Sequence, residues 1–171
     1  MVKSLVICYS TSEKGKLTNE DKVVLELEKL FIEKKIPVKK VFLQPTKRID
    51  LIKQFKHEKE LEFDLETLQV IKQIKEFDYV VIGSPLVGSF TSAPLVNLFI
   101  RGIPKMDSAK APVFALFVTG IIPGFGIKKM QSLLSMKGIK PKESVALTSM
   151  FEFDAKKMAE VKEFFERIIT D

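Results

Sequence analysis

The chain has 171 residues, 28 Lys and Arg against 22 Asp and Glu for a net charge of +6, and 46% hydrophobic with 29% charged residues. These are the proportions of a globular chain long enough to bury a core without disulfides or metal staples, and they exclude disorder. One domain over residues 1–171 is expected.

No run approaches the roughly 18 apolar residues of a membrane span. The opening MVKSLVICYS is too short for a signal segment and reads as a strand. Cytoplasmic location and no membrane partner are expected. The single cysteine, Cys8, lies inside that first strand, where a small buried apolar role is favoured over a reactive thiol. The single histidine, His57, sits among Lys56, Glu58, Lys59 and Glu60 and reads as solvated, so neither residue belongs to a zinc-type cluster. The positive charge raises the possibility of nucleic acid. Lysines alternating with glutamates, as in EKLFIEKK and HEKELEFD, instead describe solvated helix faces, so no nucleic-acid partner is expected.

In chain order, Leu5–Tyr9 is a first apolar strand that yields at Ser10 to the polar STSEKGKLT. Thr18, with Asp21 three residues on, resembles a capping box, and Val23, Leu27, Leu30 and Phe31 recur at helical spacing. Ile36 and Pro37 close that helix. Val38–Leu43 is a second strand whose Lys39 and Lys40 suit a sheet edge. Between Gln44 and Phe63 the pattern is weak, with Ile49, Ile52 and Phe55 suggesting a short helix. Asp64 opens a clearer one, carried by Leu65, Leu68, Ile71 and Ile74.

Tyr79–Ile82 is short and uniformly apolar, the pattern of a parallel strand buried on both faces, and Gly83 and Pro85 are expected to stop it. Ser92 is placed to cap a helix with Pro94 two residues on, running to Gly102. Pro112–Val118 is a fourth strand, followed by TGIIPGFG and a helix from about Ile127 to Lys137 that Gly138 ends. Ser144–Leu147 is the last strand. Asp154 then opens a helix lined by Met158, Val161, Phe165 and Ile168. Five βα units imply a three-layer α/β sandwich around a doubly wound, five-stranded parallel sheet in the order 2-1-3-4-5. In that order the loops after strands 1, 3 and 4 meet in one crevice.

Three stretches now carry a resemblance to a known family. These are YSTSEKGKLT after strand 1, DYVVIGSPLVGSF across strand 3, and APVFALFVTG leading into TGIIPGFG. Over essentially its whole length the chain resembles the flavodoxin-like family, which implies FMN as cofactor. The resemblance places the phosphate at the first loop, where Ser10, Thr11, Ser12, Gly15 and Thr18 supply hydroxyls and backbone N–H groups beside a helix N-terminus. The same residues also suit a plain turn and helix cap. Glu13 would oppose a phosphate if it pointed inward, and Lys14 or Lys16 would offset it. The ring would lie along Ser84, Pro85, Leu86, Val87, Gly88 and Phe90, and against Thr119, Gly120 and Phe125. Phe90 and Phe125 are stacking candidates or packing residues of their loops. No side chain stands out as acid, base or nucleophile.

The implied function is electron transfer or a small flavin-dependent reduction, with a redox partner protein or a small-molecule electron acceptor. Family electron carriers are usually acidic, whereas this chain is basic, so an acidic or uncharged partner surface is expected. The alternative is a cofactor-free flavodoxin-fold module working through protein contacts, with the IIPGF tip as its patch.

Overall fold

The computed structural model describes residues 1–11, 16–44, 51–87 and 91–170. Its strands are β1 (Ser4–Tyr9), β2 (Val38–Leu43), β3 (Tyr79–Val87), β4 (Thr91–Ser92), β5 (Val113–Gly120) and β6 (Glu143–Thr148). The helices are α1 (Asn19–Glu33), α2 (Leu51–Lys56), α3 (Leu65–Gln73), α4 (Pro94–Gly102), α5 (Gly126–Ser135) and α6 (Ala155–Ile169). Strands run β2-β1-β3-β5-β6, all parallel, and the two-residue β4 pairs antiparallel with the end of β3. The five parallel strands therefore take the expected order, with β2 at the edge. None of the described helices is long and apolar enough to cross a membrane.

Side-chain alternation builds the two outer layers. Leu5 and Ile7 of β1, Val80 and Ile82 of β3, and Phe114, Leu116 and Val118 of β5 share one core with α3, α4 and α5. Val6, Cys8, Val81, Ala115 and Phe117 face the other, shared with α1 and α6. There Phe31 and Phe165 meet edge to face at 4.9 Å, joining the two helices. Cys8 is fully buried, and burial, then the nearby charges of Glu20 and Asp21, push its thiol well above the ordinary range. His57 is exposed and pairs with Glu60 at 2.9 Å.

Helix starts follow local chemistry. Thr18 accepts from the Asp21 backbone N–H, and Asp21 Oδ2 accepts from the Thr18 N–H, the reciprocal pair of a capping box. Asp64 and Asp154 cap α3 and α6 by accepting from the N–H groups of Thr67 and Lys157. Gly138, at φ +76°, takes the left-handed turn beyond α5.

Two expectations are corrected. β3 does not stop at Ile82, because Gly83 is a close-approach residue and not a strand terminator. A Cβ on Gly83 would stand 2.0 Å from Phe117 Cζ, so its missing side chain lets the buried ring of β5 cross beneath the strand. Pro85 lies beyond Gly83, the last β3 residue in register with β1, where a missing N–H is tolerated as at a sheet edge. Ser92 does not cap α4; the N-cap is Ala93, with Pro94 at the first helical position. Ser92 Oγ instead donates to Asn97 Oδ1 at 2.6 Å, and the Ala93 N–H is taken by Ser84 Oγ at 2.8 Å. Ser84 thus fastens β3, and Ser92 the short β4, to the start of α4.

Candidate functional site

Parallel sheets leave their connections diverging at the carboxyl ends of the strands, and a cavity of about 440 Å³ opens there. Thr11 follows β1, Pro85 and Leu86 end β3, and Thr119, Gly120 and Ile121 end β5. Thr18, Asn19 and Glu20 bring in the first turn of α1, and Leu51 the first residue of α2. Ser149, Met150, Phe151 and Glu152 complete the wall from the loop after β6.

Leu86 is the wedge that holds two walls together. A Cβ on Gly120 would meet Leu86 Cδ1 at 2.9 Å, and one on Gly126 would meet Leu86 Cδ2 at 2.5 Å. The β3 and β5 loops therefore touch only because both partners are glycine. The β6–α6 loop is laced to α1 by polar bonds instead. Asn19 Nδ2 donates to the Phe151 carbonyl at 3.1 Å, and Asn19 Oδ1 accepts from the Phe153 N–H at 2.9 Å. One asparagine side chain spans the gap, and Lys22 adds an ion pair to Glu152 at 2.9 Å. The Lys22 hydrogen bond and charge hold the exposed Glu152 carboxyl below its usual range.

One buried polar atom on this cavity has no such partner among the described residues. Thr119 is 3% exposed, and its hydroxyl makes no hydrogen bond among the described residues. An orphaned buried hydroxyl costs about 1–3 kcal/mol, a cost that a ligand or a water bonded to it would offset. Glu20 is 7% exposed as a residue, but its carboxylate oxygens are not among the buried atoms that lack a partner.

Of the sequence-derived candidates, Thr11, Thr18, Pro85, Leu86, Thr119 and Gly120 lie together on the cavity wall. Ser10, Ser84, Val87 and Phe125 are not on it. Ser84 is committed to Ala93 and the Pro85 carbonyl, and Val87 is buried in the core. Phe125 is 65% exposed at the N-cap of α5. Ser12, Gly15, Gly88 and Phe90 lie outside the described residues, as do Glu13 and Lys14. Sequence reasoning missed Asn19, Glu20, Leu51, Ile121 and the whole Ser149–Glu152 wall. The available signal was SMFEF, an exposed Met150 and Phe151 in a loop that parallel topology sends to the same sheet edge.

The volume falls within the roughly 300–1,000 Å³ of small-molecule sites. Leu51, Pro85, Leu86, Ile121, Met150 and Phe151 offer the apolar surface a flavin ring needs, and the Thr119 hydroxyl offers a bond to a polar edge. A phosphate is served less well. The Thr18 hydroxyl is already bonded to Asp21 at 3.0 Å, Asp21 caps the first turn of α1, and no Lys or Arg lines the cavity among the described residues.

No protein-family model matches the chain, and no curated protein matches it in sequence. Solved structures do match its fold. Two-electron reduced flavodoxin from Megasphaera elsdenii superposes with a TM-score of 0.62 at 16% identity, over 96% of this chain and 97% of that one. An FMN-dependent NADH-azoreductase from Bacillus anthracis, in complex with FMN, gives 0.64 at 13% identity over 99% and 100%. Rubredoxin oxygen:oxidoreductase from Desulfovibrio gigas gives 0.65 at 15% identity over 96% of this chain, which spans 35% of that protein. At these identities the likeness establishes the fold: the chain has a flavodoxin-like α/β fold.

Proposed function

We propose that the protein binds a flavin in this cavity and works in electron transfer or as a small flavin-dependent reductase. One observation carries the proposal. A cavity with both polar and apolar walls, at the carboxyl ends of β1, β3 and β5, presents a buried Thr119 hydroxyl without a partner among the described residues. Structures of the same fold include a flavodoxin and an azoreductase described as FMN-dependent, so FMN is the first flavin to test.

A bound flavin supplies the redox chemistry, accepting and passing on electrons or hydride. The chain's own residues hold and shield it. Leu51, Pro85, Leu86 and Ile121 exclude water from its surroundings, Phe151 offers an aromatic face, and Thr119 bonds a polar edge. Asn19 keeps the Phe151 loop in place. The test is titration of the full chain with FMN and, separately, riboflavin, followed by quenching of flavin fluorescence. Binding of at least one at about 10 μM or tighter is expected. Failure of both to bind removes the proposal.

A second possibility draws on a separate observation. Ile121, Ile122 and Phe125 are exposed beside Met150 and Phe151, an apolar patch suited to contact with another protein. If flavins do not bind, a cofactor-free module using this patch is favoured.

A further inference from the structure

The inward face of α2 carries a polar residue where packing alone would favour an apolar one. Leu51, Gln54 and Phe55 share that face at i, i+3 and i+4, and the most deeply buried of the three is the glutamine, at 0% exposed. Leu51 and Phe55 pack half-buried against the core shared with β1 and α4, and Leu51 also lines the cavity. Burying an amide is costly unless it is hydrogen-bonded. Gln54 Nε2 donates to Tyr9 Oη at 3.1 Å, a bond that is itself buried. Tyr9 is the last residue of β1, so the bond joins α2 to a strand end at the cavity edge, two residues before the cavity-lining Thr11.

We propose that the buried Tyr9–Gln54 hydrogen bond orients α2 and thereby sets Leu51 on the cavity wall, which makes Tyr9 and Gln54 positioning residues for the bound ligand. For the identity of that ligand the proposal rests on the flavin reading above.

The six residues of α2 fall well short of the roughly 12–15 at which a helix holds by itself in water, so tertiary contacts decide where it lies. The contacts of Leu51 and Phe55 with the core are non-directional and would let the helix slide or turn about its axis. The ion pair between Arg101 and Glu58, just beyond α2, lies at 3.4 Å on the surface, where such pairs hold little. A hydrogen bond has a preferred length and angle, so the Tyr9–Gln54 bond supplies the direction that these contacts lack. Leu51 stands one turn before Gln54 on the same face, so a rotation of α2 that breaks the bond also carries Leu51 off the wall. An apolar pair in place of the two residues would fill the same space and fix neither depth nor rotation.

The test separates positioning from packing. Tyr9→Phe combined with Gln54→Met exchanges both partners for apolar groups of similar shape, a change nearly neutral for stability. Hydrogen exchange read by mass spectrometry should nonetheless show residues 51–57 of the double variant exchanging about tenfold faster relative to β1 of the same molecule, a ratio that needs no ligand. The dissociation constant for FMN or riboflavin, by fluorescence titration, should rise about tenfold. Tyr9→Phe alone should show the same two changes, which keeps the test open if the double variant fails to fold. Exchange that speeds equally in both segments, or in neither, overturns the positioning role, and so does an unchanged flavin affinity; the flavin reading then stands. If the wild type binds neither flavin, that reading falls and the exchange ratio alone decides whether the bond orients α2.

Discussion

Of the described glycines Gly83 leaves the least room for a side chain, because of Phe117, and Gly83→Ala tests that contact. A methyl group there would lie 2.0, 2.3 and 2.5 Å from Phe117 Cζ, Cε1 and Cε2. Carbon atoms pack at about 3.5–4.0 Å, so the ring would have to retreat by roughly 1.5 Å. It has nowhere to go, since Phe117, Phe164 and Phe165 are all fully buried in the layer between the sheet and α1 and α6. Overpacking of this kind costs about 1–3 kcal/mol and sometimes more, and a ring-wide clash puts Gly83→Ala at about 3 kcal/mol. That is a large part of the roughly 5–15 kcal/mol by which domains are stable. Urea unfolding followed by circular dichroism should show a lower midpoint with an unchanged slope. Phe117→Leu removes all three clashing atoms, so the double variant should recover about 1.5 kcal/mol or more relative to additivity. A cost below about 0.5 kcal/mol for Gly83→Ala, or strict additivity with Phe117→Leu, would refute the packing account.

Phe151→Ala should weaken flavin binding by about tenfold and Phe125→Ala by less than about threefold, because only Phe151 lines the cavity; the reverse order in a fluorescence titration would move the ring elsewhere. Lys35 sits at φ +60° just beyond α1, so Lys35→Gly should relieve about 1 kcal/mol of left-handed strain, seen as a rise in Tm of about 2–4 °C. The Thr67 backbone N–H holds the Asp64 carboxyl below its usual range. A carboxyl depressed by folding stabilises above its unfolded pKa and loses that effect as pH falls through its folded value. The advantage of wild type over Asp64→Ala should therefore be full above about pH 5 and fade at lower pH in paired urea titrations. Cys8, buried and with its thiol pushed upward, should resist iodoacetamide in the native state and react only after unfolding; labelling of the folded protein would contradict its placement.

Much of this architecture follows from local chemistry that a sequence displays directly. Thr18 with Asp21, Asp64, Asp154 and Gly138 mark helix ends because each acts on backbone groups within a few residues of itself. The uniformly apolar β1, β3 and β5 announce a sheet covered on both faces, and the lysines of β2 announce an edge. From these the strand order, and the expectation that loops after β1, β3 and β5 converge, could be reached without coordinates. What stayed hidden depends on partners distant in the chain. Gly83 reads as a strand breaker until Phe117 is found beneath it. Ser92 reads as a helix cap until Asn97 and Ser84 are seen to divide its work. Asn19 gives no sign in the sequence that it carries the Phe151 loop, and Thr119 no sign that its hydroxyl is left unbonded. Propensity and capping are settled by neighbours along the backbone, so residue order reveals them. Close packing and the satisfaction of buried polar groups are settled by whatever the fold brings alongside, and only the tertiary structure turned Glu20 and Thr119 into two walls of one cavity.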